Sequence, residues 1–177
     1  EPPLFALFDA IARDDRYALL AVCHTFGLLC RWSGAATPQL RGPEKGGKSS
    51  GVLENVLTDT GRNHPWFARF AAQIPDGRRF RVLDSRLFDL IPKGGGLPEG
   101  SSALGFESNC SPGNPGEAIT MIEFARDKGG VMPRILGVNH HPEILQRESL
   151  LSLLEQKYAR GEVTSEWFDE RVQILTT

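Results

Sequence analysis

The chain has 177 residues, of which 40% are hydrophobic and 24% charged, with a formal net charge of −2. That composition predicts a soluble folded domain of ordinary size, expected as a single unit over residues 1–177. Near-neutral charge gives no general attraction for nucleic acid or an anionic membrane, and no run approaches the ~20 apolar residues of a membrane span.

Taken in chain order, Leu4, Phe8 and Ile11 or Ala12 recur at helical spacing, so a helix is expected to stop near Asp14-Asp15. Tyr17–Val22 is a short continuous apolar run of the kind found in a strand buried on both faces. Phe26, Leu29 and Cys30 restore helical spacing until Ser33-Gly34, which places Cys23 at a strand-to-helix junction. Residues 35–50, rich in Gly, Pro and small polar side chains, are expected as an exposed loop.

Further strands are predicted over Val52–Leu57, Phe80–Leu83, Ala103–Glu107 and Ala118–Phe124, with a short apolar segment at Leu87–Ile91. His64-Pro65 should open a short helix reaching Ala72, with Trp66, Phe67 and Phe70 in the core. Lys93–Gly100 and Asn109–Gly116 read as loops. Arg134–Asn139 is another buried strand, ended by His140-His141-Pro142-Glu143 because proline cannot donate to a ladder. A helix through Leu150, Leu154 and Tyr158 ends at Gly161, and Thr164 or Ser165 caps a last one in which Trp167 and Phe168 pack onto the sheet. Short strands with helices at both ends predict an α/β fold: a mixed, largely parallel open sheet flanked by helices.

Three dispersed cysteines argue against a disulfide scaffold and for a reducing compartment, so the cytoplasm is expected. The N-terminal segment has neither the basic start nor the cleavage site of a signal peptide, so Asn109-Cys110-Ser111 reads as loop sequence and not as a glycosylation site.

The chemistry concentrates at two strand ends. A thiol attacks a carbonyl as thiolate; a histidine can take its proton and a carboxylate can fix that imidazole. Cys23 follows one buried strand, and His141 and Glu143 follow another. If the strands are parallel, all three emerge at the carboxyl edge of the sheet, where open α/β folds place ligands. A sharp turn at Cys23 would also aim the backbone N–H of His24 at a developing oxyanion. Cys30 is expected in the core, and Cys110 in a loop.

The segment LLAVCHTFGLLC resembles the nucleophile elbow of class I glutamine amidotransferases, and RILGVNHHPEI resembles their His-Pro-Glu segment. The likeness extends over residues 4 to about 145. It implies a flavodoxin-like domain in which Cys23 is nucleophile, His141 base and Glu143 its orienter. Substrate would be held near His24 and Gly27. Glutamine or a related small amide would be cleaved, a synthetase domain or subunit would use the ammonia, and no metal or organic cofactor would take part.

The chain departs from the family at Ala21 and Thr25, where elbow glycines are usual, and at Gly27, usually glutamine. The family's leading strands and oxyanion loop have no counterpart before the elbow, so the domain is expected to be incomplete at its N-terminus or completed by another chain. These departures leave two alternatives open: a cysteine hydrolase or acyltransferase of the same fold on another substrate, or an inactive binding or regulatory relative. Gly42 to Ser49 matches G-x-x-x-x-G-K-S, but a phosphate loop must lead into a helix, and here a strand is expected. A zinc site from Cys23, His24, Cys30, His140 and His141 lacks the usual paired spacings.

Overall fold

The computed structural model describes residues 1–42, 47–94, 96–108, 118–144 and 147–176. The expected loop at Asn109–Gly116, with Cys110, and the middle of the glycine-rich pattern lie outside the described residues. In chain order the elements are α1 (Pro2–Arg13), β1 (Leu19–Val22), α2 (His24–Ser33), β2 (Ala36–Leu40), β3 (Ser49–Leu57), α3 (Asp59–Arg62), α4 (Ala68–Ala71), β4 (Arg79–Arg86), β5 (Phe88–Pro92), β6 (Ser102–Glu107), β7 (Ile119–Arg126), β8 (Pro133–Val138), α5 (Arg147–Ala159) and α6 (Ser165–Thr176).

Six strands form one mixed sheet in the order β1-β8-β7-β6-β3-β4, and β2 pairs with β5 in a separate ribbon. The expected mixed α/β sheet is present, but its parallel part is smaller than expected. β1–β8 is parallel, whereas β7–β8, β6–β7, β3–β6, β3–β4 and β2–β5 are antiparallel. Continuous apolar runs predict burial on both faces, not strand direction, and β7 and β8 are buried along nearly their whole length while running antiparallel. The sheet curls: the N–H of His141, just beyond β8, donates to Leu83 O on the distant edge strand β4 (2.9 Å).

Side chains alternate across the central strands. On one face Phe26, Leu29, Ile122, Phe124 and Ile135 pack with Phe8 of α1, and on the other Leu57, Met121, Leu136 and Val138 form a second cluster. Buried Arg134 ties α1 to the sheet by donating to the carbonyl oxygens of Ile11 (2.6 Å) and Ala12 (3.0 Å) near the helix's end. Gly34, in the left-handed conformation (φ 78°), ends α2 where expected.

Three expectations are corrected. Residues 35–50 are not all loop, because β2 pairs with β5. Pro38 is tolerated there since the ribbon has only two strands and an edge position needs no second donor. The short helix α3, closed by Thr58 Oγ1 accepting from Gly61 N (2.9 Å), has no apolar periodicity to announce it. Trp66 and Phe70 are exposed instead of core. Trp167 does reach the sheet, lying over Gly51 of β3, whereas Phe168 stacks on Tyr158 between α5 and α6.

α2 meets β8 at Gly137, where a Cβ would fall 2.1 Å from Phe26 Cδ2. Phe26 is fully buried and edge-on to Phe124, so it has no room to yield. Gly137→Ala is therefore expected to cost about 1–3 kcal/mol of stability by overpacking, read as a lowered urea midpoint. An unchanged midpoint would refute this account of the α2–β8 contact.

Candidate functional site

Cys23 sits between β1 and α2 with φ 49° and ψ −107°, and among the described residues it is the one non-glycine with positive φ. Such backbone is costly for an L residue and is the conformation of a nucleophile elbow. It is held by Cys23 N donating to Val138 O (2.8 Å) and Gly27 N donating to Cys23 O (3.0 Å). The parallel register Val22↔Val138 brings the ends of β1 and β8 side by side. Cys23 and the His141–Glu143 segment thus leave the same edge of the sheet.

His141 Nδ1 lies 2.7 Å from Glu143 Oε1, and the imidazole is mostly buried while the carboxylate is half exposed. Burial works against the Glu143 charge, but the His141 hydrogen bond holds its carboxyl below the usual range. The structure therefore brings His141 and Glu143 into contact. The Cys23 thiol makes its hydrogen bond elsewhere, to Ser85 O on β4 at 3.8 Å.

Burial pushes the Cys23 thiol up, Asp84 adds to this, and the His24 backbone N–H and Arg86 pull the other way. Cys30, fully buried in the core as expected, is pushed up much further by burial alone. A raised thiol pKa means that the thiolate fraction keeps growing above pH 8.5, the ordinary midpoint. Iodoacetamide should therefore label half-buried Cys23 far faster than Cys30 in the folded protein, at a rate still climbing at about pH 9. A rate already level at neutral pH would indicate a preformed thiolate and contradict this environment.

Cys23, His24 and Gly27 line a cleft of about 680 Å³ between the start of α2 and the β2–β5 ribbon. Gly27 has room for a side chain, since a Cβ there would meet only Leu90 Cδ2, at 3.9 Å. Asn139, which motif reading passed over, also lines the cleft; it is buried, and its Nδ2 has no partner among the described residues. Its sequence signal was only its place one residue beyond a buried strand.

Behind the cleft, Arg86 is buried against Asp84, Glu107 and Asp89 (3.2 Å to the last), and Arg41 pairs with Asp89 (2.7 Å) and Glu107 (3.4 Å). Ser49 Oγ donates to Asp84 Oδ2 (2.5 Å). This network anchors the part of β4 whose carbonyl oxygens touch both Cys23 and His141.

No family model matches the chain, and no curated protein matches it. Among solved structures it is similar to SMU.1228c, with 19% identity and a TM-score of 0.55 over 86% of this chain and 51% of that one. It is also similar to a Thermoplasma acidophilum protein provisionally described as the first of the GMP synthase subunits, with 13% identity and a TM-score of 0.50 over 80% of this chain and 55% of that one. The fold is glutamine amidotransferase-like. At these identities the likeness is one of fold, and the chain spans about half the length of each neighbour.

Lys48 and Ser49 lead directly into strand β3, so the glycine-rich pattern lacks the helix a phosphate loop requires. No helix among the described residues is long and apolar enough to cross a membrane.

Proposed function

We propose that the chain is a cysteine-dependent amide hydrolase acting on a γ-glutamyl amide. The observation that carries this reading is the positive-φ Cys23 at the end of β1, beside the parallel strand β8 whose exit bears the hydrogen-bonded His141–Glu143 pair. In the proposed reaction the Cys23 thiol gives its proton to His141 and sulfur attacks the amide carbon. The oxyanion forms near the His24 N–H and the unpartnered Asn139 amide. As the C–N bond breaks, His141 returns the proton to the departing amine, leaving a thioester. Water, deprotonated by His141, then cleaves the thioester and regenerates the thiol, while Glu143 keeps the imidazole oriented throughout.

With glutamine as donor the amine is ammonia, and a synthetase domain or subunit, in the cytoplasm, would consume it. The glutamine amidotransferase-like fold and the GMP synthase description of one structural neighbour support that setting. A second reading, a non-catalytic binding relative, is favoured by the thiol bonding to Ser85 O.

The deciding experiment is intact mass after exposure to an electrophilic glutamine analogue, with and without excess glutamine. A single adduct on Cys23, blocked by glutamine, is expected. No adduct, while iodoacetamide still reaches Cys23, would reject a glutamyl pocket.

A further inference from the structure

The cleft is larger and more positive than a free glutamine needs. Its volume of about 680 Å³ falls within the range that encloses drug-sized ligands, and Gly27 leaves its floor open. Its middle is apolar, formed by Leu28, Leu87, Phe88 and Leu90. Phe88 and Leu90 face it at the strand's two-residue period, while Asp89 between them turns to Arg41 and Arg86.

The charges at its two ends are of one sign. Lys48 stands beside Leu87, because Ser49 pairs with Arg86 in the β3–β4 register. Lys93 follows Pro92 at the other end of β5. From residue 87 to 93 an extended chain covers roughly 20 Å, so the two ammonium groups flank the cleft without crowding each other. Both lysines are exposed, and neither has a hydrogen bond or ion pair among the described residues. The lining's other cations are accounted for: Arg31 pairs with Glu1 (2.5 Å), and Arg86 with three carboxylates. Glu1 is the lining's one carboxylate among the described residues, and it is already taken.

We infer that the substrate carries an anionic group on each side of the scissile amide, and that the leaving amine is itself an amino acid. The class is a γ-glutamyl amide of an amino acid, in which one carboxylate meets Lys48 and the other Lys93 across the apolar span. This rests on the amide-hydrolase reading and changes only the amine that departs: the thioester forms as before, and the C–N bond releases an α-amino acid instead of ammonia.

The test separates binding from turnover. In the Cys23→Ala protein, which cannot consume ligand, calorimetric titration compares γ-glutamylglutamate, γ-glutamylmethylamide and glutamine. The doubly anionic dipeptide should bind about tenfold more tightly than either of the others, with the steeper loss in added salt. Lys48→Gln and Lys93→Gln should each weaken it up to about fivefold, the range of an exposed ion pair. Equal affinity for the dipeptide and the methylamide, indifference to both lysine changes, or no binding of any of the three would overturn the inference. Failure of the hydrolase reading looks different: tight, lysine-dependent dipeptide binding with no cleavage by the unmodified protein.

Discussion

Cys23→Ala is expected to lower amide turnover by at least ~10⁴-fold while the protein keeps its fold. Removing the nucleophile from a unit whose members act together costs about as much as removing all of them. The structural cost is small, because the thiol is half-buried and its hydrogen bond to Ser85 O is long and weak. The substitution also separates the enzyme from its non-catalytic alternative, since a binding role would survive it. Turnover within about tenfold of the unmodified protein, measured on the same γ-glutamyl substrates with circular dichroism unchanged, would remove Cys23 from the mechanism.

The second large effect falls on stability. Arg86→Met leaves Asp84, Asp89 and Glu107 buried with Arg41 as their remaining cation in the network, and breaking a buried pair from one side typically costs about 3–5 kcal/mol. The loss should depend on pH. Burial already raises the Glu107 carboxyl against the pull of Arg86 and Arg41, and removing the guanidinium raises it further. A group whose pKa is higher folded than unfolded contributes stability below the unfolded value and loses it as pH climbs through the folded one. The deficit of Arg86→Met should therefore be largest at neutral pH and shrink towards the ordinary glutamate pKa of about 4.3. Urea unfolding at about pH 7 and about pH 5 measures both. A loss below ~1 kcal/mol, or one equal at the two values, would show that the network is solvated and not a buried anchor. Arg86→Lys should recover only part, because an ammonium cannot meet three acceptors in the guanidinium's planar geometry.

What could be read from the sequence was local. The strand-to-helix junction at Cys23, the proline stop after His141 and the glycine end of α2 are set by neighbours a few residues away, and the structure has all three. The His141–Glu143 contact was legible for the same reason, since two residues separate them.

Other features were decided by partners far along the chain. β2 exists because β5 comes to pair with it, although Pro38 and its polar neighbours argue for loop. Strand direction was illegible because burial on both faces makes an antiparallel strand look like a parallel one. Arg41, Asp84, Arg86, Asp89 and Glu107 read singly as solvated charges, since such residues are almost never buried unless paired, and the pairing appears only once the sheet curls. Lys48 and Lys93 became the ends of one cleft in the same way. The sequence by itself determined the elements and the chemistry at their ends, because propensity, capping and periodicity act over one or two turns of chain. The tertiary structure alone decided which charges are buried, which strands meet and how the cleft is walled, because these depend on contacts between residues distant in sequence.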